Sequence, residues 1–146
     1  MAIDISGRHE VLGKYQMVCA AISARLSPSF IEKILCIRIV PCLAETIDLN
    51  TVADLVLSSC SGISGIIVAE PGDFYNLEVW RVKGILGRDF KHPETLAERR
   101  TIELAHHISL AGRRLLVGLD LERGSFKMSE NKVDGESRLG GKDDRI

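Results

Sequence analysis

Apolar residues in this chain fall into short runs, each interrupted by glycine, proline or serine. The segment from Met1 to Ile5 is apolar apart from Asp4 and breaks at Ser6-Gly7, which predicts a strand ending in a turn. After Gly13, the run Tyr15–Leu26 is dense in small and apolar side chains and predicts a buried strand. Ser27-Pro28 has the form of a helix start, with serine as cap and proline at the first helical position, giving a single turn through Glu32. Ile34–Val40 then predicts a third strand, stopped by Pro41.

Helical spacing begins at Ile47, with Val52, Leu55, Val56 and Ser59-Cys60 on one face. Asp48 or Asn50 can cap this helix, and Ser61–Gly65 ends it. Ile66–Ala69 is a continuous apolar run of the kind buried on both faces, which favours a parallel strand. Leu77–Leu86 fits a helix better than a strand. A further helix opens at Pro93, carries Glu94 and Glu98 near its positive end, and is closed by Gly112. Leu115–Leu119 predicts a last strand, ending on Asp120.

Three consecutive strands with short links favour an antiparallel meander, and two later strands each preceded by a helix favour right-handed parallel crossovers. The expected fold is an α/β domain over residues 1–124, with a mixed five-stranded sheet and the first strand between the second and the fourth. An all-parallel doubly wound sheet would need a helix between the first two strands, and Gly7–Lys14 is too short for one. Residues 125–146 show no period of 2 or 3.6 and read as a disordered charged tail.

Composition narrows the classes further. With 45% hydrophobic and 27% charged residues, the chain has material for one real core. Lys and Arg number 19 against 20 Asp and Glu, so no basic excess marks the whole chain as a nucleic-acid binder. The apolar runs fall far short of the roughly 20 residues of a membrane span, and Asp4 stands where a signal peptide would be apolar. A soluble cytoplasmic protein is the expectation. Cys19, Cys36, Cys42 and Cys60 form no Cys-x-x-Cys pair and read as small buried hydrophobes. His106 and His107 are adjacent and would diverge by about 100° on a helix, which disfavours zinc.

Three carboxylates stand at places where an apolar strand gains nothing from one: Asp4 within the first, Glu70 after Ile66–Ala69, and Asp120 after Leu115–Leu119. Parallel strands share one carboxyl edge, which is where ligands of open α/β sheets bind. Converging carboxylates repel unless a cation neutralises them, and Mg²⁺ or Mn²⁺ held there would suit in-line attack on a phosphodiester. The alternative is local, since Glu70-Pro71-Gly72-Asp73 is also good turn material. Arg8, Arg99-Arg100 and Arg113-Arg114, with Arg81, Lys83, Arg88 and Lys91, offer phosphate contacts. Glu98 and Glu103 interleave with the arginines of the long helix, so a solvated charged face explains them equally well. His9 and His92 read either as proton carriers or as exposed loop histidines.

The stretch Ala2-Ile3-Asp4-Ile5-Ser6-Gly7-Arg8, followed by a glycine and the buried strand around Met17–Ile22, resembles the opening of ribonuclease H-like proteins. It is most similar to the type 2 ribonuclease H pattern, an aspartate on the first strand followed by a small residue, glycine and arginine. It also resembles small uncharacterised archaeal proteins that open in this way. The ribonuclease H-like resemblance implies a divalent-metal-dependent nuclease. Asp4 would be the first-strand aspartate, Glu70 the acid after the fourth strand as in the resolvase branch, and Asp120 the stand-in for the acid after the fifth. Ile5 departs from the type 2 pattern, which has glutamate there, and no helix after Asp120 is evident to carry a late acid. A catalytically inactive ribonuclease H-like module that binds a partner protein or ligand at the same edge is the second expectation.

Overall fold

A computed structural model describes the backbone of residues 1–131 and the side chains of residues 1–118. Five strands form one mixed sheet: β1 (Ala2–Ser6), β2 (Tyr15–Leu26), β3 (Ile31–Ala44), β4 (Ile67–Val68) and β5 (Phe90–Lys91). Their order is β3-β2-β1-β4-β5, with β1 antiparallel to β2 and parallel to β4. The first strand therefore lies between the second and the fourth, as the short Gly7–Lys14 link requires. Helices α1 (Leu49–Cys60), α2 (Val79–Leu86) and α3 (Leu96–Asn131) complete the fold.

Alternation along β1 sends its side chains to two different layers. Ile3 and Ile5 join Met17, Cys19 and Ala21 under α1, where Val52 and Val56 complete a core that also holds Phe74 and Phe90. Ala2 packs with Val68 and Ile102, and Ala20 and Ile22 pack with Ala105, so the opposite face is covered by α3. Small residues on that face let the helix come close. At Gly112 an added Cβ would stand 3.3 Å from Ile39 Cγ2, so this glycine serves helix–sheet approach.

The expected helix end at Gly112 and strand at Leu115–Leu119 are corrected by this packing: both lie within α3. A short apolar run has no period of its own that separates a strand from a helical face. The fifth strand is instead the two-residue Phe90–Lys91, paired with β4. Pro93 precedes α3 without opening it. The helix starts at Leu96, where Thr95 Oγ1 accepts from the Glu98 amide and Glu98 Oε1 accepts from the amides of Glu94 and Thr95. Ser27-Pro28 begins a hairpin turn and not a helix, with the Ser27 amide donating to the Phe30 carbonyl at 3.0 Å. β3 runs through Pro41, which an edge strand tolerates. Asp48 caps α1, as its side chain accepts from the Thr51 amide.

Burial pushes the Cys19 thiol up to about 12 and raises that of Cys60, so both behave as packing groups. Of the expected tail, residues 125–131 continue α3, and the rest lies outside the described residues. Among the described residues no helix is long and apolar enough to cross a membrane.

Candidate functional site

Asp4 sits on the α3-facing side of the central strand and is 9% exposed. An ionised carboxylate only accepts hydrogen bonds, so a buried one needs donors. Helix α3 supplies them: Ser109 Oγ donates to Asp4 Oδ2 at 2.8 Å, and His106 Nδ1 lies 3.2 Å from the same oxygen. The Ser109 hydroxyl is also 3.0 Å from the His106 carbonyl and 2.7 Å from the Ser6 hydroxyl, and either serine can donate to the other. His106 and Ser109 are three residues apart on one helix face, while Asp4 and Ser6 are two apart on one strand face. Replacing Ser109 by alanine should leave a buried carboxylate oxygen short of a donor and destabilise the fold by about 1–2 kcal/mol in urea denaturation. An unchanged midpoint would contradict this bond.

The second carboxylate is Asp73, in the 3₁₀ turn Pro71–Phe74 that follows β4. Its side chain is 13% exposed; Oδ1 is 3.6 Å from Arg8 Nη2, and Oδ2 is buried without a hydrogen-bond partner. Arg8 Nη2 also donates to the Asp73 carbonyl at 2.6 Å, and its guanidinium stands 5.7 Å from the centre of the Tyr75 ring. Burial pushes the Asp73 carboxyl up to about 7; the charges of Asp4 and Glu70 add to this, and Arg8 and His106 oppose it.

The residues singled out in the sequence thus have different fates. Asp4 belongs to this site. Glu70 is exposed at the start of the 3₁₀ turn and makes no side-chain capping bond there, but its charge reaches Asp73. Asp120 follows no strand; it lies within α3, and its side chain is outside the described residues. Arg8 is engaged with Asp73, and Arg113 is buried beside Gly7. Arg99, Arg100 and Arg114 are exposed along α3. Arg88 is spent on the carbonyls of Cys60, Ile63 and Gly65 after α1, and Lys91 on Glu94 and Glu98. His9 is exposed; His92 is half-buried, edge-on to Phe90, with Nε2 lacking a partner.

Sequence reasoning missed Asp73, His106 and Ser109 as site residues. The available signal was polar residues at helical spacing, His106, Ser109 and Arg113, amid the apolar stripe of Ile102 and Ala105. His106 and Ser109 fall inside the helix expected between Pro93 and Gly112, and only Arg113 requires the helix to continue past Gly112.

Among the described residues no three His, Cys, Asp or Glu side chains are grouped to hold a metal ion. Of the expected trio, Asp4 and Glu70 belong to no such group among the described residues, and the Asp120 side chain lies outside them. What the edge offers is Asp73, with one buried carboxylate oxygen that has no hydrogen-bond partner, within reach of the charge of Asp4. Mg²⁺ commonly takes one or two protein carboxylates and keeps water on its other positions, and an unpartnered carboxylate oxygen is a donor of the type it accepts.

Comparison with known proteins places the chain. It belongs to the family described as uncharacterized protein conserved in archaea (DUF2209), whose model matches residues 1–117. An uncharacterised protein of Methanocaldococcus jannaschii is 29% identical over 120 residues, covering 80% of this chain and 95% of the relative. No solved structure matches.

Proposed function

For this member of an archaeal family we propose a ribonuclease H-like domain that cleaves phosphodiester bonds with a divalent cation held by Asp4 and Asp73. The observation that carries the reading is the buried, unpartnered Oδ2 of Asp73, in the turn at the carboxyl end of β4, with the charge of Asp4 on β1 acting on it. Two further features support it. The sheet has the strand order that the resemblance of Ala2–Arg8 implies, and α3 brings hydrogen-bonding side chains across the first-strand aspartate. Bound at this pair, Mg²⁺ or Mn²⁺ would neutralise the two carboxylates and polarise water or a phosphoryl oxygen.

The chain's own residues have defined tasks in this reading. Ser109 and Ser6 fix the orientation of Asp4 from the side away from solvent. Arg8 holds the Asp73 turn through both its carbonyl and its carboxylate. His106, exposed on the outer side of Asp4, stands where a proton can pass between the site and water. A second reading is a non-catalytic module binding a ligand at this edge. It is favoured by the absence of a three-ligand group among the described residues.

One experiment separates them. Calorimetric titration of Mn²⁺ into the full chain should show saturable binding that is lost in both Asp4→Asn and Asp73→Asn. Cleavage of labelled RNA, DNA and hybrid duplexes in Mn²⁺ should fall to background in the same variants. Asparagine keeps an acceptor for Ser109, so the Asp4→Asn fold is preserved. Identical Mn²⁺ isotherms in all three proteins, or no cleavage of any substrate by the wild type, overturns the nuclease reading.

A further inference from the structure

Arg113 stands one helical turn beyond Ser109 and is 7% exposed. Its Nε donates to the Gln16 carbonyl at 2.9 Å, which pins the plane of the guanidinium against the turn after β1. The pinning uses space that only glycine leaves. A Cβ on Gly7 would lie 2.5 Å from Arg113 Nε and 2.1 Å from the Gln16 carbonyl oxygen. Among the described residues no carboxylate comes within ion-pair distance of this guanidinium, and its terminal amino groups make no hydrogen bond to protein. Burial alone lowers its pKa, with no acidic neighbour acting against that. A buried cation without counter-charge is a costly arrangement, which an anion bound beside it would relieve.

The guanidinium borders a cleft of about 520 Å³ between the β1–β2 connection and α3, within the size range of small-molecule sites. Ser6, Arg8, His9, His106 and Arg113 line it, and one carboxylate, the exposed Glu10, is at its wall. Arg8 is engaged with Asp73, and His106 Nδ1 with Asp4, which leaves the Nε2 of a neutral His106 an acceptor, so the side-chain donors left over are the Arg113 amino groups and His9. Arg113 also borders a smaller cleft of about 260 Å³, whose other walls are mostly apolar, Val18, Pro41 and Leu43 among them, with Gln16 beside them.

We propose that the larger cleft binds a phosphate group, free or carried by a nucleotide, with Arg113 as its anchor and His9 as a further donor. The two free amino groups of the guanidinium, with an imidazole N–H beside them, present more donors than the two oxygens of a carboxylate use, and they suit the oxygens of a phosphate. This site goes beyond the cleavage reading, since it requires neither a cation nor turnover.

The test uses the full chain in chelator, with inorganic phosphate, adenosine 5′-monophosphate and adenosine as probes. In ¹⁵N-labelled protein the Arg113 Nε–H resonance should move saturably with phosphate and with the monophosphate, and not with adenosine. The melting temperature should rise with the same two ligands. Arg113→Gln should weaken both responses at least tenfold, and without ligand it should melt no lower than the wild type. Monophosphate binding at least tenfold tighter than inorganic phosphate assigns the ligand as a nucleotide; equal affinities assign free phosphate. An Arg113 resonance that ignores both ligands overturns the proposal, as does an Arg113→Gln protein that keeps the wild-type response. If Arg113→Gln does not fold, the wild-type resonance decides alone. Phosphate binding in a protein that takes up no Mn²⁺ leaves this site standing and removes the nuclease reading.

Discussion

Asp73→Asn should be more stable than the wild type at pH 8, by up to about 4 kcal/mol, and indistinguishable from it near pH 4. Burial, reinforced by Asp4 and Glu70, raises the folded-state pKa of Asp73 to about 7 from an ordinary 3.8. Between these values the folded protein still holds the proton that the unfolded chain has released. Stability is therefore greatest below about pH 4, declines as pH rises towards 7, and stays reduced above it. A shift of roughly three units corresponds to about 4 kcal/mol at 1.36 kcal/mol per unit. Asparagine imitates the protonated carboxyl at every pH and removes that slope. Urea denaturation of both proteins at pH 4, 6 and 8 measures it. Mn²⁺ at pH 8 should narrow the gap, because only the wild type has the charge to bind it. A constant difference across the pH range would show that the Asp73 charge is already compensated within the fold.

Gly7→Ala should cost about 3–5 kcal/mol. Gly7 has φ +94, where an L side chain is strained by about 1–3 kcal/mol before any contact is considered. The new Cβ would also sit 2.1 Å from the Gln16 carbonyl oxygen, a backbone atom that moves only if β2 moves, and 2.8 Å from Arg113 Cδ. Such overpacking adds about 1–3 kcal/mol. Gly13 has φ +77 and open space around it, so Gly13→Ala should lose only the conformational part, about 1 kcal/mol. Equal losses for the two variants in thermal or urea melts would mean that Arg113 does not press on Gly7.

Much of the sheet was legible along the chain because its signals are local. The glycine turns at Gly7 and Gly13 and the dense apolar run Tyr15–Leu26 mark the β1–β2 hairpin. The continuous apolar Ile66–Ala69 marks a parallel neighbour for β1, although only Ile67–Val68 pairs as a strand. Asp4 stood out for the same reason: the strand that carries it has no other charge. β5 was not legible, since two residues cannot display a period. Leu115–Leu119 was misread because an apolar run of that length suits a strand and a helical stripe equally.

What only tertiary structure decided is which polar groups meet. Asp4 finds Ser109 and His106 across 105 and 102 residues of sequence, through the docking of α3 on the small residues of β1 and β2. Asp73 reads locally as a turn residue. It becomes a strained carboxylate only when the turn folds against the end of β1 beside Asp4 and Arg8. Arg113 reads as one of two basic residues on a helix, yet its neighbour Arg114 is exposed while Arg113 is pinned over Gly7. Local sequence determines the strands because hydrogen-bond pairing and period are written residue by residue. Burial and charge are set by whatever lies opposite, and for these side chains that is decided by a helix about 100 residues away.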